Sequence, residues 1–137
     1  MPYATVNDLQ ERLGEPRLRQ LTDVGDPPVG LVDTVVAQRA LDDAEAEIDG
    51  YLAGRYALPL ATVPGVLRVH ALTIAHYRLL GASAEEVARE DYKAALRYLA
   101  GVAEGKVALF PPSATPAQQG VGSVMFNAGS KVMGRED

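Results

Sequence analysis

The chain has 137 residues, and its 13 lysines and arginines stand against 18 aspartates and glutamates, which gives a net charge of −5. This length suffices for one domain with its own hydrophobic core, and the absence of cysteine excludes a disulfide framework, a zinc–cysteine site and a thiol nucleophile. The acidic balance argues against a protein that wraps nucleic acid, because such affinity comes mostly from neutralising phosphates.

The N-terminal residues lack the basic and apolar regions of a secretory signal. The most apolar stretch, residues 66–80, contains Arg68, His70, His76 and Arg78 and is too short to span a bilayer. We therefore expect a protein with no membrane partner, made in a reducing cytoplasm.

Two short helices are predicted first. Thr5 and Asp8 approximate a capping box for a helix over residues 6–13, and Gly14 is a good stop. One or two further turns are expected over residues 15–21. The segment 23–30 is a loop by its turn-forming residues.

The longest helical pattern runs from residue 32 to about 53, with Asp33 or Thr34 as its cap. Apolar residues recur there every four positions, which predicts one buried face: Val32, Val36, Ala40, Ala44, Ile48 and Leu52. The other faces carry carboxylates: Asp42, Asp43, Glu45, Glu47 and Asp49.

Two more helices follow a segment bracketed by Pro59 and Pro64, which cannot be helix interior. The first, over residues 64–80, is apolar nearly all round and is expected to be central. The second, over residues 84–103, should start at a capping box of Ser83 and Glu86 and turn Val87 toward the core. The pattern predicts a mainly α domain over residues 1–105, a bundle of about four to five helices.

Residues 106–137 form a separate C-terminal tail that is rich in Gly, Pro, Ser and Ala. A free segment of this composition is expected to be disordered. Val121, Val124 and Phe126 lie in a stretch with weak strand alternation. We therefore expect this tail to gain order as a strand or hairpin on a partner chain.

Catalytic and metal-binding motifs are not apparent. His70 and His76 lie roughly 120° apart around one helix, so they do not share a metal, and structural roles are favoured. Asp42, Glu45 and Asp49 share one helical face and are best explained as a solvated acidic ridge. Arg89, Lys93 and Arg97 form a basic series in which Glu86 and Glu90 can pair with Arg89 and Lys93, so we interpret it as a self-neutralised, solvated face. No enzyme activity and no cofactor are predicted.

One stretch is distinctive: Ile48-Asp49-Gly50-Tyr51-Leu52-Ala53-Gly54-Arg55-Tyr56-Ala57-Leu58-Pro59-Leu60. Preceding it are Tyr3-Ala4-Thr5, Asp8-Leu9, Arg12-Leu13-Gly14 and Leu21-Thr22-Asp23. With these segments the chain resembles the Mu-like phage head-to-tail adaptor family, also called head-completion or connector proteins, from about residue 3 to residue 105.

The resemblance implies a structural virion protein at the neck, the head-tail junction, assembled in a bacterial host cytoplasm. It implies a cyclic homo-oligomer of about twelve copies, a dodecamer closed by head-to-tail contacts. Its partners would be the portal protein, a neck or tail-terminator protein, and genomic DNA passing through the channel.

Candidate residues for these contacts follow from the same segments. The loop with Arg55, Tyr56, Leu58, Pro59 and Leu60 is expected either to insert between neighbours or to cap its own bundle. The tail around Val121, Val124, Phe126 and Val132 is expected to meet the portal or a neighbouring subunit, and a chain cut after Lys106 should stay folded but lose portal binding. Asp42, Glu45 and Asp49 are candidates for lining the channel, where negative charge would let DNA slide.

The alternative is a DNA-binding packaging or regulatory module that uses the helix pair of residues 64–103. It is weaker because the second helix begins with Glu85 and Glu86, which would face phosphate.

Overall fold

The structure is a computed structural model, and it describes residues 2–110. This part contains five α-helices and no strand: α1 (Val6–Leu13), α2 (Glu15–Thr22), α3 (Thr34–Leu52), α4 (Gly65–Leu80) and α5 (Glu86–Ala103). The predicted mainly α fold of four to five helices is confirmed. The strand or hairpin expected around residues 121–132 lies outside the described residues.

The core is built where α3, α4 and α5 pack against one another, with α1 and α2 placed across α3 and α4. On α3 the predicted stripe is buried at Ala40, Ala44, Ile48 and Leu52 and half-buried at its start. Its alanines let α4 approach closely. α4 contacts all four other helices, as expected from an apolar surface nearly all round.

The first capping box is confirmed: Thr5 Oγ1 accepts from the Asp8 amide at 3.1 Å, and Asp8 Oδ2 accepts from the Thr5 amide at 3.0 Å. At α3 the cap is Asp33, whose Oδ1 accepts from the Val35 amide at 3.0 Å. Both helices therefore begin where local side-chain chemistry satisfies their first amides.

The capping box predicted for Ser83 and Glu86 is wrong. Ser83 lies in a 3-10 turn, Gly81–Ser83, and its hydroxyl donates back to the Leu80 carbonyl at 2.6 Å. Because that hydroxyl closes the end of α4, it cannot cap α5, which begins after Glu85 without a side-chain cap. Val87 is also not turned inward; it is 73% exposed.

The chain reverses after α5 and packs on its own helices. Gly105, at φ +81°, makes the turn, and the amides of Lys106 and Val107 donate to the Gly101 carbonyl at 2.8 and 3.1 Å. Leu109 and Phe110 are buried. The prediction placed the boundary between the helical domain and the tail at residue 105. Residues 106–110 instead pack with the helical domain, and the rest of the predicted tail lies outside the described residues.

None of the helices in residues 2–110 is both long and apolar enough to cross a membrane.

Candidate functional site

The loop that follows α3 caps its own bundle. Tyr56 is 9% exposed and Leu60 is 4% exposed, and the Tyr56 ring meets the edge of Phe110 with centroids 6.0 Å apart. Leu58 is half-buried and Pro59 is exposed. Of the five residues predicted for contact with a neighbour or the portal, Tyr56 and Leu60 are therefore occupied within the monomer, while Pro59 remains accessible.

Arg55 lies against the turn at the end of α5. A Cβ atom on Gly105 would come within 2.9 Å of Arg55 Nη1, so the guanidinium covers that glycine. Arg55 is half-buried, and no carboxylate of residues 2–110 forms an ion pair with it. Its charge is available to an external carboxylate, as the prediction requires.

The acidic ridge predicted on α3 is not uniform. Asp42 is exposed and accepts from Gln38 Nε2 at 2.9 Å, whereas Glu45 and Asp49 are half-buried. Asp49 accepts a hydrogen bond from the Tyr3 hydroxyl. Burial, that hydrogen bond and the nearby charges of Asp49 and Glu45 raise the pKa of Tyr3, so its phenol remains a donor. Asp49 thus fastens the N-terminal segment to α3.

Glu47 has a role that the sequence analysis missed. Its carboxylate accepts from Arg78 Nη2 at 2.7 Å and from the Tyr92 hydroxyl at 2.7 Å, which joins α3, α4 and α5. The Tyr92 ring stacks on Tyr77 with centroids 4.1 Å apart. Burial and the hydrogen bond to Glu47 raise the pKa of Tyr92 to about 12. No local pattern could reveal this network, because its members are brought together by packing.

A second feature missed from the sequence is the hydrogen-bonded loop between α2 and α3. Thr22 is fully buried; its Oγ1 donates to the Leu18 carbonyl at 2.8 Å and accepts from the Asp33 amide at 3.0 Å. Asp23 accepts from the Val29 amide at 2.9 Å and the Gly30 amide at 2.7 Å. These two backbone donors hold the pKa of Asp23 below its ordinary value. The loop is therefore closed at both ends by its own side chains.

This closed loop displays apolar side chains to solvent. Val24 is 72% exposed and Val29 is 76% exposed. Leu31 and Val35, at the start of α3, are 66% and 62% exposed. We call these four residues the loop patch. Large exposed apolar side chains that are grouped on one segment favour a protein–protein contact. The only signal for this segment in the sequence was the turn chemistry at 23–30.

A shallow groove of about 470 Å³ adjoins the loop patch. It runs between the start of α1 and the first turns of α3, and its lining comprises Val6, Thr34, Val35, Gln38, Arg39 and Asp42. The groove mixes apolar and charged side chains, which suits a peptide segment better than a small molecule enclosed on all sides.

Two of the three cations of the basic series on α5, Arg89 and Lys93, are paired as predicted. Arg89 pairs with Glu86 at 3.2 Å and Lys93 pairs with Glu90 at 3.7 Å. Glu85 and Glu86 are exposed at the start of α5. This end of the helix pair would present carboxylates to phosphate, so the geometry gives no support to the DNA-binding alternative.

Both histidines are half-buried on α4. The His70 ring lies 4.6 Å from that of Tyr98, and its Nε2 is buried without a hydrogen-bond partner. Burial and then the Arg12 charge lower the pKa of each histidine. Within residues 2–110, no group of histidine and carboxylate side chains is placed to hold a metal ion.

Residues that carried the family resemblance mostly hold the fold. Arg12, for example, joins α1 to α4 by donating to the Val69 carbonyl at 3.2 Å and to Thr73 Oγ1 at 3.0 Å. Tyr3, Thr22 and Asp23 make the contacts described above. The predicted tail contacts Val121, Val124, Phe126 and Val132 lie outside the described residues.

Comparison with known proteins identifies the family. The family model described as Bacteriophage Mu, Gp36 matches residues 3–127. A Haemophilus influenzae protein, the Mu-like prophage FluMu protein gp36, is 38% identical over 109 residues, which cover 80% of this chain and 77% of that protein. Gene product J of Escherichia phage Mu is 42% identical over 106 residues, 77% of this chain and 74% of that protein. Because the match takes in every helix and the loop patch, the chain belongs to the phage Mu Gp36 family.

Proposed function

We propose that this phage protein is a structural component of the virion, an adaptor that forms a ring at the head-tail junction. The ring would sit between the portal and the neck or tail-terminator components, contain about twelve copies closed by head-to-tail contacts, and extend the DNA channel. The proposal assigns no catalytic reaction and no cofactor.

The observation that carries the proposal is the loop patch. Burying Val24, Val29, Leu31 and Val35 against another chain would stabilise the contact, since each large apolar side chain contributes about 1.5–3 kcal/mol when fully buried. The hydrogen bonds from Thr22 and to Asp23 order the loop before any partner arrives. A preformed surface loses little conformational entropy on binding, which suits a part that must assemble.

The Arg55 side chain supports a second contact at the other end of α3. Its unpaired guanidinium and the exposed Pro59 are what remain of the predicted loop contact, because Tyr56 and Leu60 are in the core. A carboxylate on a neighbouring subunit or on the portal would complete this site. A ring needs two different surfaces on each copy, and the molecule offers one near each end of α3.

Charge is compatible with a channel. Asp42 is exposed and Glu45 is half-exposed on α3, whereas Asp49 is committed to Tyr3. A lumen lined by carboxylates would repel the DNA backbone and keep it from adhering. We accordingly retain Asp42 and Glu45 as channel-lining candidates and give Asp49 a structural role.

The proposal is tested by deleting the gene and imaging the particles by electron microscopy. Phage or an induced prophage lacking this gene should produce DNA-filled heads and separate tails, because the two cannot join. Supplying the full chain should restore tailed particles, and a Val29→Glu variant should restore far fewer. Val87→Glu is the matched control, since Val87 is equally exposed but lies on α5. Normal tailed particles without the gene would overturn the proposal.

A further inference from the structure

The loop patch exposes apolar side chains that nothing in residues 2–110 buries, and the C-terminal segment after Phe110 also carries several apolar side chains. The patch lies in the loop before α3 and in the first turn of that helix, whereas Phe110 packs on Tyr56, just beyond the other end of α3. α3 has 19 residues and is therefore about 28 Å long. The segment thus starts far from the patch of its own chain.

We propose that the loop patch of each copy binds the C-terminal segment, residues 121–132, of the neighbouring copy. This inference rests on the proposed ring, because a head-to-tail contact pairs two different surfaces of the same chain.

Length permits the contact. Val124 lies fourteen positions after Phe110, and this length of chain spans up to about 46 Å in extended form. That reach exceeds the length of α3, so length alone allows the segment to meet a loop patch on its own copy or on the next one. The head-to-tail ring favours the patch of the next copy.

Composition favours the contact on both sides. The segment carries Val121, Val124, Phe126 and Val132, which match the apolar side chains that the loop patch exposes. The adjoining groove is open to solvent, and its lining includes Val6 and Val35 beside polar and charged side chains. Alternating side chains of an extended peptide would enter the groove while its backbone runs along the loop.

Charge favours the same pairing. Residues 23–34 contain Asp23, Asp26 and Asp33 and no cation, whereas the proposed segment, residues 121–132, contains Lys131 and no carboxylate. Opposite charges at the edge of an apolar contact steer association and set its register. Two loop patches would instead repel each other, which argues against a symmetric contact of patch with patch.

The chain has no native cysteine, so engineered cysteines report contacts cleanly. The full-length double variant Val29→Cys with Phe126→Cys is built into phage particles and mildly oxidised. We expect a ladder of disulfide-linked oligomers on a non-reducing gel. The control, Val87→Cys with Phe126→Cys, should cross-link roughly tenfold more slowly. A cysteine at Val87 is not held beside the C-terminal segment, so the effective concentration of the two thiols is lower.

Three results would overturn the inference. The first is a disulfide confined to single chains, which would assign the segment to the patch of its own chain. The second is equal cross-linking in the control, and the third is the absence of a ladder while Phe126→Cys cross-links to the portal. If the protein is absent from particles, the proposed function fails. Mixing purified Val29→Cys and Phe126→Cys chains then decides the inference separately, since a mixed dimer still supports head-to-tail binding and its absence refutes it.

Discussion

The fold-back after α5 makes a sharp prediction about where the domain ends. Leu109 is 5% exposed and Phe110 is 8% exposed. Removing both forfeits about 3–6 kcal/mol of apolar burial and a further ~0.5–1.5 kcal/mol from the edge-to-face contact with Tyr56. Domains of this size have a total stability of about 5–15 kcal/mol. A chain cut after Lys106, which the sequence suggested would stay folded, should therefore be severely destabilised.

The assay is urea unfolding of three purified chains, followed by circular dichroism. The chain ending at Phe110 should unfold at the midpoint of the full-length protein, whereas the chain ending at Lys106 should unfold at much lower urea. Full-length Leu109→Ala with Phe110→Ala should resemble the shorter chain. Equal midpoints for the chains ending at 106 and 110 would refute the packing of Leu109 and Phe110 on the helices. A test of portal binding by a truncated protein should therefore use the chain that ends at Phe110.

Three further predictions concern single positions. Thr22→Val should lower the free energy of unfolding by about 1–3 kcal/mol and speed hydrogen exchange at the Asp33 amide, which donates to the Thr22 hydroxyl. Thr22→Ser keeps the hydroxyl and should leave that exchange slow. Fast exchange in both variants would contradict the hydrogen bond between Thr22 and Asp33. Gly50→Ala should stabilise the protein by about 0.5–1 kcal/mol, because no atom lies within 4 Å of the added Cβ. Gly101→Ala should not stabilise it, since its Cβ would lie 2.9 Å from Val107 Cγ2. Chemical unfolding measures both variants, and an equal gain in stability would argue against the contact with Val107. Stability should fall as pH drops below 6.5, the ordinary histidine pKa, because the folded-state pKa values of both histidines are lowered and the unfolded chain binds more protons there. His70→Phe removes the buried Nε2 that lacks a hydrogen-bond partner, and it should weaken the pH dependence of stability between pH 7.5 and 5. If the free energy of unfolding changed with pH as steeply as before, this role of His70 would be contradicted.

The family contacts were predicted only in part. Arg55 and Pro59 remain available, yet Tyr56 and Leu60, which share the same apolar loop, are in the core. A loop sequence shows which side chains are apolar but not which way each one turns. The Tyr56 ring, for example, packs on Phe110, which lies 54 residues later in the chain. The loop patch was missed for the converse reason, because a Gly-Pro loop gives no sign that its valines are held outward.

The sequence by itself determined the helices of this protein and the family to which it belongs. Helical period, caps and stop residues act over four or five positions, so Thr5, Asp33 and the stripe of α3 are readable without tertiary structure. Tertiary structure alone decided that Asp49 binds Tyr3, that Glu47 joins three helices, and that the chain after Gly105 returns to the core. These contacts pair residues far apart in the chain, and their burial depends on how whole helices pack.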